Sequence, residues 1–202
     1  LYTGLTPLGV VVYMNPDNTT GIALSLTDAN DTVCFPWAYK KDIGGTTTYT
    51  NSWDAIMDTS GYTNTQNILA TVGMTGDPTE DLFKLKANVP ATYYCYYYNP
   101  YTSKLDVTPN GCYLPSVGEM YLYFAYRTVI NKSLEKLADF GAELPRSGME
   151  VHYWTSTGGN NAVNATCING KGQLCMHHEK SRVCYTYDGN YVTRAVRAFF
   201  KF

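Results

Sequence analysis

The stretch that most constrains this chain is Gly111-Cys112-Tyr113-Leu114-Pro115-Ser116-Val117-Gly118-Glu119-Met120. Tyr113-Leu114 reads as a short extended piece. Pro115 biases Leu114 away from the helical region, because its ring crowds the residue before it. Ser116 and Glu119 form an S-x-x-E capping box: the serine hydroxyl accepts from the Glu119 N–H, and the carboxylate accepts from the Ser116 N–H. A helix is therefore expected to start at Ser116, pass through Met120, Phe124 and Arg127, and reach about Ile130. Met120, Tyr123 and Phe124 form its packed stripe, with Arg127 at the amphipathic edge. Asn131-Lys132-Ser133 predicts a break or kink. Leu134, Leu137 and Ala138 then restore helical spacing, and Gly141 suits the left-handed residue after a helix.

Around this anchor the pattern alternates between strands and helices. Leu8–Tyr13 is a β-branched apolar run, Asn15-Pro16-Asp17-Asn18 a turn and Gly21–Leu26 a returning strand. Val33–Ala38 is apolar but interrupted by Pro36, as an edge or irregular piece would be. Asn64–Ala70 predicts a short helix with Ile68, Leu69 and Val72 on its buried side. Asp77-Pro78-Thr79-Glu80-Asp81 has the proline and acids of a helix first turn. Thr92–Tyr98 reads as helix, and its tyrosines (Tyr93, Tyr94, Tyr96, Tyr97, Tyr98) are expected to half-bury their rings and expose their hydroxyls. Tyr153–Thr157 is a strand with a buried Trp154. Ala162–Ile168 and Gln173–Lys180 predict a hairpin across Asn169-Gly170. Tyr191–Phe200 predicts one last strand, with Val192, Val196 and Phe200 apolar and Arg194 and Arg197 between them.

Composition narrows the class. The 202 residues carry a net charge of -2, with no basic stripe to hold nucleic acid. No window approaches the roughly 20 apolar residues of a membrane span, so no direct membrane insertion is expected. Leu1-Tyr2-Thr3-Gly4 lacks signal-peptide character and reads as a processed or trimmed start. Abundant Tyr, Thr, Asn and Gly with few charges point to an extracellular, loop-rich, partly β protein. Six cysteines (Cys34, Cys95, Cys112, Cys167, Cys175, Cys184) suit disulfides in a secreted chain. No C-x-x-C pair is present for a zinc knuckle or a thioredoxin-like site. Cys167, Cys175 and Cys184 are either bridged or chance occupants of a variable surface.

Three ordered segments stand out: Tyr113-Leu114-Pro115-Ser116-Val117-Gly118-Glu119-Met120, Tyr153-Trp154-Thr155-Ser156-Thr157, and Val192-Thr193-Arg194-Ala195-Val196-Arg197-Ala198-Phe199. Their order and separation resemble a bacterial C-type-lectin-like family, as do Pro7–Tyr13 and Asn64–Ala70. Cys112 departs from the aromatic residue usual there. The resemblance implies an α+β fold: a small twisted antiparallel sheet, two main helices and paired terminal strands, here as a single domain over residues 1–202. It also implies a secreted or bacterial cell-surface location, in the C-terminal part of a longer fimbrillin-like or adhesin chain. Some members are variable proteins of diversity-generating retroelements, in which adenine-directed mutagenesis alters a segment just before the terminal strand.

For chemistry, His177-His178-Glu179 lacks the helical spacing of H-E-x-x-H, and adjacent strand residues point to opposite faces, so no metal is expected there. The animal lectins' calcium-site triplets are absent, and no cofactor is expected. No G-x-S-x-G elbow or protease-like cysteine segment frames a nucleophile. An enzyme like the formylglycine-generating enzymes, which share a related fold, is the third reading. Gly158–Asn190 lacks apolar alternation and mixes Asn, Tyr, His, Cys, Thr, Arg and Gly. That is either an ordinary polar surface or an adaptable recognition surface. On the second reading the ligand-binding residues are Asn160, Asn161, Asn164, Thr166, His177, His178, Arg182, Tyr185, Tyr187, Asp188 and Asn190, with Tyr185 and Tyr187 as anchors and His177 a source of pH dependence near 6. The expected function is non-enzymatic binding of a protein or glycan. A purely structural assembly module is the alternative.

Overall fold

The computed structural model describes residues 4–30, 34–40, 43–44, 46–181, 186–187, 190–191 and 193–202, with the backbone alone for His177, Thr186, Tyr187, Asn190 and Tyr191. It is a mixed α+β structure. β1 (Gly9–Met14) and β2 (Gly21–Ser25) form the expected antiparallel hairpin, with a bulge between Val11 and Tyr13. A short helix α1 (Ser52–Ile56) follows, capped by the Asn51 side chain. α2 (Gly61–Val72) is longer than the sequence pattern predicts. Its buried face includes Gly61, Asn64 and Thr65 as well as Ile68 and Leu69. This is the i, i+3, i+4, i+7 stripe of an amphipathic helix, with polar residues in its first turn.

α3 (Pro78–Asn88) starts as expected: the Asp77 carboxylate accepts from the N–H groups of Thr79 and Glu80. α4 (Pro90–Tyr96) holds the tyrosine cluster. Four of these rings are deeper than expected, since Tyr93, Tyr94, Tyr97 and Tyr98 are all buried. Tyr93 packs edge-on or tilted against Tyr94 and Tyr97, Tyr94 packs on Phe35, and burial pushes the Tyr97 hydroxyl up to about 12. β3 (Tyr98–Asn99) and β4 (Lys104–Leu105) make a small hairpin, and β5 (Cys112–Tyr113) enters the anchor.

α5 (Val117–Lys136) then runs twenty residues without the predicted break. Ser133 hydrogen-bonds back to the Val129 carbonyl, and Asn131 accepts from the Tyr123 hydroxyl, so both polar side chains are satisfied inside a continuous helix. A 3-10 turn, Ala138–Phe140, ends at Gly141, which has a left-handed φ of 80°. β6 (Val151–Gly158), β7 (Asn164–Asn169) and β8 (Leu174–Glu179) form an antiparallel meander, the last two joined by the expected Asn169-Gly170 turn.

The C-terminal stretch is not one strand. After β9 (Thr186–Tyr187) and β10 (Asn190–Tyr191), a two-residue antiparallel pair, come β11 (Thr193–Ala195) and β12 (Phe199–Lys201), in different sheets. β11 pairs parallel to β6, at the edge of the sheet β11-β6-β7-β8. β12 lies between β2 and β5 in the sheet β1-β2-β12-β5. The terminal strands therefore share a sheet with β2 between them, instead of pairing directly.

Two arginines explain the split. Arg194 and Arg197, expected to sit between apolar positions of an ordinary strand, are among the most buried side chains, at 0% and 1% exposure. Arg197 spans the crossover, donating to the carbonyls of Ser25, Leu26 and Glu143 and pairing with Asp28. Asp28 is also held by Arg146 and the Tyr153 hydroxyl. A guanidinium with five donors satisfies several carbonyls at once, so the chain can leave one sheet and enter another without stranding backbone groups.

All eight β6 residues are buried because β6 lies between two cores. Trp154 packs with Trp37, Ile68, Leu85 and Tyr97 on one side. Val151 and Tyr153 pack with Leu24, Met120, Ile130 and Phe199 on the other. Trp37, in the irregular 34–40 segment, is fully buried and donates its indole N–H to the Thr155 carbonyl.

Candidate functional site

The anchor is built as the sequence predicts. The Glu119 N–H reaches Ser116 Oγ at 3.4 Å, and the Glu119 carboxylate accepts from the Ser116 N–H at 2.8 Å. The structure adds a polar network invisible to local pattern. The Asp58 carboxylate accepts from the Thr157 hydroxyl at 2.7 Å, from Asn64 at 3.0 Å and from the Ser60 N–H. Thr157 in turn accepts from the Val117 N–H, and Thr65 bridges both backbone groups of Leu114. Gly118 is required here: a Cβ would strike the carbonyl oxygens of Asp58 and Ile56. Burial pushes the Glu119 carboxyl up to about 7, against the hydrogen bonds from Ser116 and Tyr113 that lower it. Every polar group in this network has a structural partner, so the anchor is scaffold.

A cleft of about 670 Å³ lies beside it, lined by Tyr13, Thr20, Ile22, Glu119, Leu122 and Lys201 among others. Its charged groups are already engaged. Glu119 serves the capping box, and Lys201 Nζ lies 4.6 Å over the Tyr62 ring.

The Gly158–Asn190 region divides into framework and surface. Asn160 and Asn161 are exposed on the loop between β6 and β7, and Asn164, half-buried, opens β7. Their amides are ordered: Asn164 donates to Asn160 Oδ1 at 2.8 Å, Asn161 Oδ1 accepts from the Val163 N–H, and the Asn160 N–H donates to the Met176 carbonyl. Two predicted contact residues are corrected. Thr166 is fully buried, its hydroxyl donating to the Gly158 carbonyl at 2.6 Å, and His178 is buried at 8% exposure. Both are framework. The backbones of His177, Tyr187 and Asn190 lie in β8, β9 and β10, with Tyr187 and Asn190 directly opposed. Arg182, Tyr185 and Asp188 lie outside the described residues, as does Cys184. The idea that the clustered cysteines occupy a variable surface fails for Cys167, which is fully buried in β7.

Beneath this face is a cluster that the sequence reading missed. A ring nitrogen each from His152 and His178 and the Cys167 Sγ lie within 4.8 Å of one another, the one metal-compatible group among the described residues. His152 Nε2 sits 3.1 Å from the Met149 carbonyl, which assigns the proton to Nε2 and leaves the Nδ1 lone pair facing inward. That lone pair meets Arg194 Nη1 at 3.0 Å, and His178 Nδ1 meets Nη2 at 3.3 Å. The guanidinium stacks 4.4 Å over Trp154. Burial lowers the His152 imidazole to about 4, with Arg194 adding to the effect, so the ring is neutral at pH 7. The donors thus converge on a cation that the chain itself supplies. A divalent ion about 4 Å from that guanidinium would meet repulsion on the order of 8 kcal/mol at an effective dielectric of about 20. The cluster is therefore a cradle for Arg194, and it fixes β11 against β6 and β8.

Among the described residues, no helix is long and apolar enough to cross a membrane. No protein-family model matches the sequence, and no curated protein matches it.

Proposed function

We propose that the chain is a C-type-lectin-like ligand-binding domain of a bacterial cell-surface or pilus-associated protein, acting without catalysis and binding a protein or glycan through the Gly158–Asn190 face. The observation that carries this reading is the contrast within one segment. β6 is buried along its whole length, while the adjoining Asn160–Val163 loop is exposed and is ordered by the Val163 N–H donating to Asn161 Oδ1 and by Asn164 donating to Asn160 Oδ1. A rigid strand carrying an ordered polar loop separates stability from specificity. Asparagine amides offer both donors and acceptors to a ligand. The three ordered sequence motifs support the family, and the buried Trp154, the capped helix α5 and the shared sheet of the chain ends are compatible with it. Diversification of this face in the manner of retroelement variable proteins belongs to the same reading. A near-copy of its coding segment beside a reverse transcriptase gene would support that part. The direct experiment is a glycan and host-protein array probed with the purified chain, repeated with Asn160→Ala/Asn161→Ala. Binding that survives the double change unaltered would place the contact elsewhere.

A second reading, a structural assembly module, is favoured by exposed apolar side chains on α1 and α5. Trp53 and Met57, at α1 and its end, are 80% and 78% exposed, and Val129 on α5 is 67% exposed. Isolated exposed apolar residues are common, so this reading needs the chain to assemble through them. Sedimentation of the wild type and Trp53→Ala decides it.

A further inference from the structure

We infer that Cys167 and Cys175 form a redox-active dithiol that closes into a cross-strand disulfide by exchange with low-molecular-mass disulfides. Both are thiols in this structure, whereas Cys34 is disulfide-bonded. They are direct register partners on β7 and β8. Opposed residues of an antiparallel pair have Cα atoms about 4.5–5.5 Å apart. That lies inside the range of about 4.4–6.8 Å that a disulfide spans. The two thiols already contact each other by a side-chain hydrogen bond. The register thus places the pair within the reach of a disulfide.

The pair is also asymmetric. Cys175 is half-exposed and lines a cleft of about 200 Å³ with Met149, His152 and His178. Cys167 is fully buried, and burial pushes its thiol up. Its Sγ lies 3.6 Å from His152 Nδ1, and hydrogen bonding and charge from Arg194 favour its thiolate. Access assigns the first attack to Cys175 and the resolving step to Cys167. The Cys175 thiolate, its proton lost to solvent, attacks one sulfur of R–S–S–R. A Cys175–S–R bond forms, and the departing thiolate takes the electron pair and a proton from solvent. Cys167 then attacks Cys175 Sγ, its thiolate steadied by the guanidinium. The second R–S⁻ leaves with the bonding electrons, and the proton of Cys167 passes to it. Two protein thiols are oxidised to one disulfide, and one small disulfide is reduced to two thiols. The new bond staples β7 to β8, the hairpin bearing Asn164. The inference stands independently of the ligand-binding reading.

The test is equilibration of the full chain with excess oxidised glutathione, followed by acid quench, thiol alkylation and peptide mass mapping. The wild type is expected to yield a Cys167–Cys175 linked peptide lacking two hydrogens. Cys167→Ser is expected to stop at glutathione on Cys175, and Cys175→Ser to leave Cys167 an unmodified thiol. The wild-type result alone suffices to overturn the inference: both residues recovered as alkylated thiols, or glutathione retained on Cys175 with no linked peptide.

Discussion

Replacing Glu119 by glutamine tests the energetics of the anchor. The carboxyl is 2% exposed, and burial raises it from an ordinary 4.5 to about 7. At about 1.4 kcal/mol per unit, that shift corresponds to about 3 kcal/mol. The sign follows from linkage. The folded chain holds this proton more tightly than the unfolded chain, so the group's favourable contribution is complete below pH 4.5 and is lost as pH rises to about 7. Glutamine keeps the acceptor that the capping box needs, and its amide can donate to the Tyr113 hydroxyl, which now donates to Glu119. The stability difference between Glu119→Gln and wild type should therefore move by about 3 kcal/mol in the variant's favour between pH 4 and pH 8. His152 works in the opposite direction. Its imidazole is held down to about 4, so its contribution is present above pH 6.5 and fades as pH falls toward 4. The wild-type profile is then nearly flat across this window, and Glu119→Gln should make stability climb with pH. The assay is urea denaturation followed by tryptophan fluorescence at several pH values, reporting from the buried Trp37 and Trp154. A difference that stays constant, or that moves against the variant as pH rises, refutes the reasoning, because the carboxylate would then be stabilising in its ionised form.

Three further outcomes follow from the packing. Gly118→Ala should cost about 1–3 kcal/mol by overpacking against the Asp58 and Ile56 carbonyls, measured as a lower denaturation midpoint. Arg197→Ala should cost on the order of 3–5 kcal/mol, because it leaves Asp28 and three carbonyls without their guanidinium. His152→Asn should leave the Glu119 effect unopposed, so that stability falls as pH rises from 4 to 7, seen by comparing its pH profile with the wild type's, which is nearly flat there.

What could be read from the sequence was local. The capping box, the β1–β2 hairpin, the Asn169-Gly170 turn and the Asp77-Pro78 helix start all depend on residues within a few positions of one another. What could not be read was polar burial satisfied over long range. Arg194 and Arg197 look like solvent-facing residues in a strand, yet their partners lie up to 172 residues away, in β2 and the residues after it and in β6. Thr157, Asn64 and Asp58 likewise gain meaning only when β6 is laid beside α2 and α5. Within the candidate site, the exposed Asn160 and Asn161 agree with the expected surface. Thr166 and His178 do not, because composition cannot tell a polar residue facing solvent from one whose partner is a distant backbone carbonyl or guanidinium. His152 stands just before the Tyr153–Thr157 run that reads as a strand, and nothing near it in sequence announces Cys167 or Arg194.

On the proposed function, binding and stability reside in different parts of one chain. The most direct measurement pairs ligand affinity with thermal stability for two variants: Tyr185→Ala/Tyr187→Ala, within the proposed binding segment, and Trp154→Ala, on the buried strand. Trp154 is fully buried, with its indole N–H donating to the Phe35 carbonyl, so its truncation should cost on the order of 3–5 kcal/mol. The tyrosine pair is expected to abolish binding to the array-selected ligand with the melting temperature nearly unchanged. A tyrosine variant that unfolds, or one that binds as the wild type does, would contradict this separation.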